Sequence, residues 1–187
     1  LKEAESFQDP GGWVVDQQFM DIMGSPFLMA HGMGVPVKNA KTEIDLDIPG
    51  KYIVKVRTRD WVAPHGPGAF RILVNSTPLE TVFGTQGEGE WEWIDGGTVE
   101  LPEGSVTLEL EDLTGFNGRC DAVLLIPEEE KNKTIPDFGE ELNALRKKLL
   151  RLPETPTDAG EYDLVVAGGG YAGICAAVAA ARLGLKT

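Results

Sequence analysis

From residue 1 to about 127, apolar and polar positions alternate in short runs broken by turn residues. Tyr52, Val54 and Val56 alternate with Ile53, Lys55 and Arg57, and Val106, Leu108 and Leu110 with Thr107, Glu109 and Glu111. A period of two sends successive side chains to opposite faces, so each run predicts a β-strand. Pro49-Gly50, Gly66-Pro67-Gly68, Gly96-Gly97 and Pro102-Glu103-Gly104 punctuate the runs. Strands are predicted at 2–7, 12–19, 26–31, 42–48, 51–60, 69–75, 79–83, 91–94, 97–101, 105–111 and 120–126. Many short strands with regular turns and no convincing helix predict an antiparallel β-sandwich of jelly-roll type over 1–127.

Beyond residue 127 the period changes. Phe138, Leu142, Leu145 and Leu149 form one apolar stripe at helical spacing, which predicts a helix over 138–150. Asp137 is its expected N-cap, with Glu140 three residues on, as in a capping box. Glu140 and Glu141 at the start and Arg146, Lys147 and Lys148 near the end match the helix dipole. A one-sided helix must cover something, either the sandwich or a domain that follows. Residues 152–160, rich in Pro, Thr and Gly, read as a linker, so 128–161 connects two parts.

The stretch 162–187 has a third character. Leu164, Val165 and Val166 are a short apolar run, as in a parallel strand buried on both faces, predicted at 162–167. Gly168, Gly170 and Gly173 then fit G-x-G-x-x-G, with Gly169 and Ala172 between them, before an alanine-rich helix that Gly184 can end. Gly168 lets the chain turn, Gly170 leaves room for a pyrophosphate, and Gly173 lets helix and strand pack closely. These residues are the candidate dinucleotide contacts, the first βα unit of a Rossmann-type domain. Leu185, Lys186 and Thr187 read as the opening of its second strand. The acid expected about 20 residues downstream is not reached, so the chain is expected to be part of a longer protein. Residues 160–187 are then expected to be disordered, to lie on the sandwich, or to pair with a second copy of the chain.

Composition narrows the function. The net charge of −13 argues against nucleic acid or anionic membrane as partner, and most of the excess acid lies in 1–127. No apolar run is long enough for a membrane span. No signal peptide is visible, although Leu1 is consistent with a leader already removed. Cys120 and Cys175 read as small buried hydrophobes. His31 and His65 are the only histidines, and neither has acids at metal-ligand spacing. No catalytic residue can be named. The densest surface candidate is the segment 57–65, where Arg59, Trp61 and His65 enter a Gly/Pro loop and offer stacking and hydrogen bonding to a sugar or another domain. The bland alternative has Arg59 paired with Asp60 and Trp61 plugging the sandwich end. Trp13, after Gly11-Gly12, and Phe116-Asn117-Gly118-Arg119 are further candidates. Trp91 and Trp93 share a face of core or platform.

Three motifs carry a resemblance. Glu3-Ala4-Glu5-Ser6-Phe7, Pro49-Gly50-Lys51-Tyr52 and Cys120-Asp121-Ala122-Val123-Leu124-Leu125-Ile126 resemble the first, central and last strands of jelly-roll carbohydrate-binding modules. That resemblance implies possible sugar binding and a structural Ca²⁺ on Glu3, Glu5 or Asp121. With the helix and Val165-Val166-Ala167-Gly168-Gly169-Gly170-Tyr171-Ala172-Gly173-Ile174-Cys175-Ala176-Ala177 added, the arrangement looks like the N-terminal region of secreted bacterial FAD-dependent oxidoreductases. Tyr171 departs from their pattern, where proline or serine is common. This implies FAD, bound by the longer protein rather than by 162–187 alone, a flavin domain as partner, and a periplasmic or extracellular location. Two readings follow: the N-terminal part of a flavoenzyme with the sandwich as accessory domain, or a non-catalytic carbohydrate-binding module.

Overall fold

The computed structural model describes residues 1–187, which divide into two compact units, Leu1–Leu152 and Pro153–Thr187. The first is mainly β, with ten strands in two antiparallel sheets. These are β1 (Lys2–Glu3), β2 (Trp13–Asp16), β3 (Phe27–His31), β4 (Ala40–Leu46), β5 (Gly50–Thr58), β6 (Phe70–Val74), β7 (Thr77–Pro78), β8 (Glu92–Leu101), β9 (Gly104–Asp112) and β10 (Phe116–Pro127). One sheet runs β2-β3-β10-β5-β8, with β1 also on β10, and the other runs β4-β9-β6-β7. The strand β10 serves two partners on one side: β3 along its first part and β1 at Ala122 and Val123.

The alternation seen along the chain becomes the core between the sheets. Val54 and Val56 of β5, Phe70 and Ile72 of β6, and Val106, Leu108 and Leu110 of β9 are all buried there. Phe70 meets Trp13 edge-on at 5.6 Å and lies 5.6 Å from Phe83. Edge-to-face aromatic pairs add roughly 0.5–1.5 kcal/mol beyond the area they bury.

Several local expectations are corrected. The predicted strands 91–94 and 97–101 are one strand, β8, because a register shift opposite Ile53 and Lys55 absorbs Gly96-Gly97 without breaking the ladder. Residues 79–83 form no strand, only an isolated bridge of Phe83 to Phe70. The first strand ends at Glu3, and Ala4–Ser6 turns as a 3₁₀-helix. The strand predicted at 12–19 ends at Asp16, a short helix, α1 (Met20–Met23), follows it, and Gly24 closes that helix in the left-handed region at φ 75°.

The outer face of the larger sheet is covered as well. Phe27, Leu28, Met29 and Ala30 are all buried, so β3 has no solvated face. Phe27 and Met29 join Met23 and Trp91 in a second cluster, with Phe19 packed against it. The helix α2 (Gly139–Leu149) belongs to this unit and buries Leu142, so the element it covers is the sandwich. Its cap differs from the expectation. Phe138, not Asp137, holds the N-cap position, and no side chain caps the helix. Asp137 accepts the Trp93 amide at 3.4 Å instead.

The second unit consists of a loop and α3 (Tyr171–Arg182). Gly184, at φ 82°, ends α3 as expected, with its N–H on Ala181 O and that of Leu185 on Ala180 O. Residues 162–167 are not a strand; their only ladder-like contacts are Asp163 and Leu164 N–H donating to Lys186 O at 2.9 and 3.3 Å. A Cβ on Gly173 would stand 2.0 Å from Gly168 O, so the helix start sits on the loop with room for no side chain. Cys175 is exposed rather than buried, whereas Cys120 is buried as expected. No helix is long and apolar enough to cross a membrane.

Candidate functional site

Three loops meet at one end of the sandwich: 31–37 after β3, 60–68 after β5, and 113–118 before and into β10. Gly32 and Gly34 N–H both donate to Gly115 O, at 3.1 and 3.2 Å. Thr114 Oγ1 donates to Pro67 O at 2.7 Å, tying the other two loops together. Gly68 and Gly118 cross so closely that a Cβ on Gly68 would meet Gly118 N at 2.8 Å, which demands glycine at the crossing. Asp60, 1% exposed, holds the 60–68 loop by accepting the Val62 and Gly66 amides at 3.1 and 3.2 Å. Asp112 does the same for the third loop through Thr114 and Gly115. Buried carboxylates that accept backbone N–H groups are common turn anchors.

On this frame the rim presents aromatic and polar groups together. Trp61 is half-buried and its indole N–H donates to Phe116 O at 2.9 Å, which fixes the ring. The Phe116 side chain is 51% exposed. The His31 Nδ1–H donates to Asn117 Oδ1 at 2.7 Å, which leaves Nε2 as an acceptor in the neutral ring. Met33 and Asn117 both hold the left-handed region, at φ 53° and 59°. Non-glycine residues kept there cost roughly 1–3 kcal/mol and gather at functional loops.

Beneath the rim lie two arginines. The Arg119 guanidinium is 5.0 Å from the Trp61 ring centre and 6.0 Å from that of Phe27. Arg59 lies 4.7 Å from the ring centre of Phe19. Burial and the neighbouring charge of Arg59 push Arg119 down to about 10, with Asp16 opposing. The local pair of Arg59 with Asp60 is not formed, since Asp60 spends both oxygens on backbone amides. Arg59 is instead a stacking residue behind the rim.

Of the residues singled out in the sequence, Trp61 belongs to this rim and Arg59 lies behind it. His65 is exposed on the 60–68 loop, its backbone N–H on Val62 O. Trp13 does not belong: it is 3% exposed, a core residue against Phe70. Trp91 is buried in the outer cluster, and Trp93 donates its indole N–H to Pro136 O, so neither forms a platform. Nothing local in the sequence marks His31 or Phe19 for binding. Only the crossing of loops 86 residues apart brings His31 to Asn117.

A second cluster lies on the outer face of the larger sheet. Asp121 is the extra residue of a bulge in β10, where Cys120 pairs with Thr58 and Ala122 with Arg57. A bulge re-aims a side chain, and here Asp121 is fully buried beside Arg57 and Arg146. Arg57 Nη1 donates to Asp121 Oδ2 at 3.0 Å, and its Nη2 donates to Asp137 O at 2.6 Å. Arg146 donates Nε to Glu3 Oε1 at 3.0 Å, Nη2 to Glu3 Oε2, and Nη1 to Asp121 Oδ2 at 3.1 Å. Ser25 Oγ accepts from Arg146 Nη2 at 2.6 Å and donates to Asp121 Oδ1 at 3.0 Å. A cavity of about 390 Å³ opens beside this cluster, lined in part by Glu5, Asn143 and Leu150. Calcium does not fit here. Of the three carboxylates that the resemblance assigned to it, Glu3 and Asp121 are already neutralised by guanidinium groups at hydrogen-bond distance, so a divalent ion would face like charge, and Glu5 alone keeps a buried oxygen without a partner.

In the second unit, Gly168, Gly169 and Gly170 line an open turn where an added Cβ would meet nothing within 4 Å. Gly170 is the N-cap of α3, and Ala172 and Gly173 lie in its first turn. Such a turn suits a phosphate group, which helix N-termini and free amides attract.

No family model matches this chain, and no curated protein matches it by sequence. Solved structures match it by shape. A Podospora anserina β-(1,4)-mannanase with a family 35 carbohydrate-binding module matches with TM-score 0.54 and 19% identity, over 72% of this chain and 28% of that one. A family 35 module from Paenibacillus barcinonensis matches with TM-score 0.52 and 20% identity, over 67% of this chain and 97% of the module. A Paenibacillus xanthan lyase matches with TM-score 0.52 and 19% identity, over 67% of this chain and 13% of the lyase. The match thus spans nearly all of an isolated module and a minor part of each enzyme. At these identities the likeness is one of fold: the first unit has the jelly-roll architecture of carbohydrate-binding modules.

Proposed function

We propose that residues 1–152 form a non-catalytic carbohydrate-binding module that takes a glycan at the rim of loops 31–37, 60–68 and 113–118. The observation that supports this most is the pairing of exposed Phe116 and fixed Trp61 with the His31–Asn117 hydrogen bond on one rigid rim. Aromatic faces take the apolar side of a sugar ring, while an imidazole and an amide offer hydrogen bonds to its hydroxyls. The fold shared with carbohydrate-binding modules supports the same ligand class. Polysaccharide as ligand goes with a location outside the cytoplasm. Affinity electrophoresis through gels containing a range of plant and bacterial polysaccharides tests this reading. Retardation in at least one gel, lost in W61A, is the expected result; unretarded migration in all of them would end it.

A second reading concerns the second unit and is favoured by the contact of Gly173 with Gly168 O. We propose that 168–173 is a dinucleotide pyrophosphate turn, for FAD on the resemblance, in an oxidoreductase to which the module is accessory. The cofactor would supply the redox chemistry; Gly168, Gly169, Gly170, Ala172 and Gly173 would supply room and backbone N–H groups. Visible flavin absorbance from a longer protein containing this segment, lost in G170V, is the expected result. A colourless, folded protein indifferent to added FAD would remove this reading.

A further inference from the structure

We infer that the Arg146 guanidinium is a built-in cation that replaces a structural metal ion, clasping α2, the β1 end and the β10 bulge into one metal-independent unit. The cluster contains two hydrogen-bonded buried carboxylates from distant parts of the chain, Glu3 and Asp121, with Glu5 beside them holding one buried oxygen that no side chain reaches. Each would repel the other if left bare, and burial would leave that repulsion unscreened. Arg57 comes from the same sheet and satisfies Asp121 alone. Only Arg146 touches both carboxylates, and it also reaches Ser25 before β3. Its planar fork makes the two-oxygen contact with Glu3 that a lysine could not.

A second observation is independent of the charge count. Arg146 lies one helical turn beyond Leu142 on the same face of α2, so the residue that neutralises the carboxylates sits beside the residue that buries the helix. Helix docking and charge neutralisation are therefore one event. A divalent ion could neutralise Glu3 and Asp121 without any helix; here the polypeptide supplies the charge and gains a docked element with it.

The test compares the whole chain with R146M, which keeps bulk and removes charge, in thermal melts with chelator and with added CaCl₂. The wild-type Tm is expected to stay fixed under both conditions. R146M is expected to melt lower by roughly 10 °C, because breaking one side of a buried pair leaves the partner charges bare. CaCl₂ should then raise the R146M midpoint, as Glu3 and Asp121 regain a cation, and E3Q/R146M should lose that response. Calcium titration by calorimetry on the wild type gives a readout even if R146M fails to fold, and no binding heat is expected. Calcium binding or a chelator-sensitive Tm in the wild type would overturn the inference. So would an R146M chain as stable as the wild type, or one with no greater calcium response.

Discussion

Glu5 has a buried carboxylate oxygen, Oε2, without a hydrogen-bond partner, in a site it shares with Glu3, Asp121 and Arg146. Burial first, and then the charges of Glu3 and Asp121, push its carboxyl up to about 7. The folded state therefore holds a proton that the unfolded state releases near its ordinary value of 4.5. Stability must fall as pH rises between those two values, and stay at its lower level above them. The expected result is that E5Q flattens the Tm-against-pH curve over that window and raises Tm at neutral pH. An E5Q curve parallel to the wild type would show that Glu5 is ionised in the fold. At the rim, Phe116 is half-exposed, so F116A is expected to leave Tm within roughly 2 °C of the wild type. The same change should weaken glycan binding at least tenfold, read by calorimetry. Single residues were also where the sequence was least legible. Trp13 follows two glycines and looks like a loop aromatic, yet its position at the head of β2 turns it into the core. Arg146 looks like a charge matched to the helix dipole, yet it is 7% exposed. Nothing in the spacing of α2 separates an arginine in solvent from one facing two buried acids.

At the scale of elements, the strands with clean alternation were the legible ones. β5, β6 and β9 lie within about two residues of their predicted bounds, because a half-buried strand writes its period into its sequence. The four-residue α1 was not legible, being too short to show a period. The elements also divide the work of stability. A chain ending at 137 loses α2, and with it Leu142 and the clasp on Asp121 and Glu3, so it is expected to be less stable than one ending at 152 by roughly 3–5 kcal/mol in chemical denaturation. Equal midpoints would mean that α2 is an attachment and not part of the module. In the second unit, G173V is expected to abolish hydrogen-exchange protection of amides 171–182, since its side chain would enter the space of Gly168 O. A179S on the exposed side of the same helix should keep it.

At the scale of the whole molecule, the first unit joins a packed frame to a rim of loops. The larger sheet is covered on one face by the second sheet and on the other by α1, α2 and the 131–138 segment, so what it leaves free to be specialised is mainly its loop ends. The jelly roll was legible from strand count and turns, and the structural likeness to carbohydrate-binding modules agrees with it. The rim was legible only in part: Trp61 and the Phe116–Arg119 loop are visible as sequence features, but their meeting with His31 depends on the crossing of Gly68 and Gly118. Whether this rim holds the glycan is read from amide and indole N–H shifts of the whole chain titrated with a retarding oligosaccharide. The expected result is shifts confined to His31, the Trp61 indole, Phe116, Asn117 and their loops. Shifts centred on the exposed face of the smaller sheet, with the Trp61 indole unmoved, would contradict it.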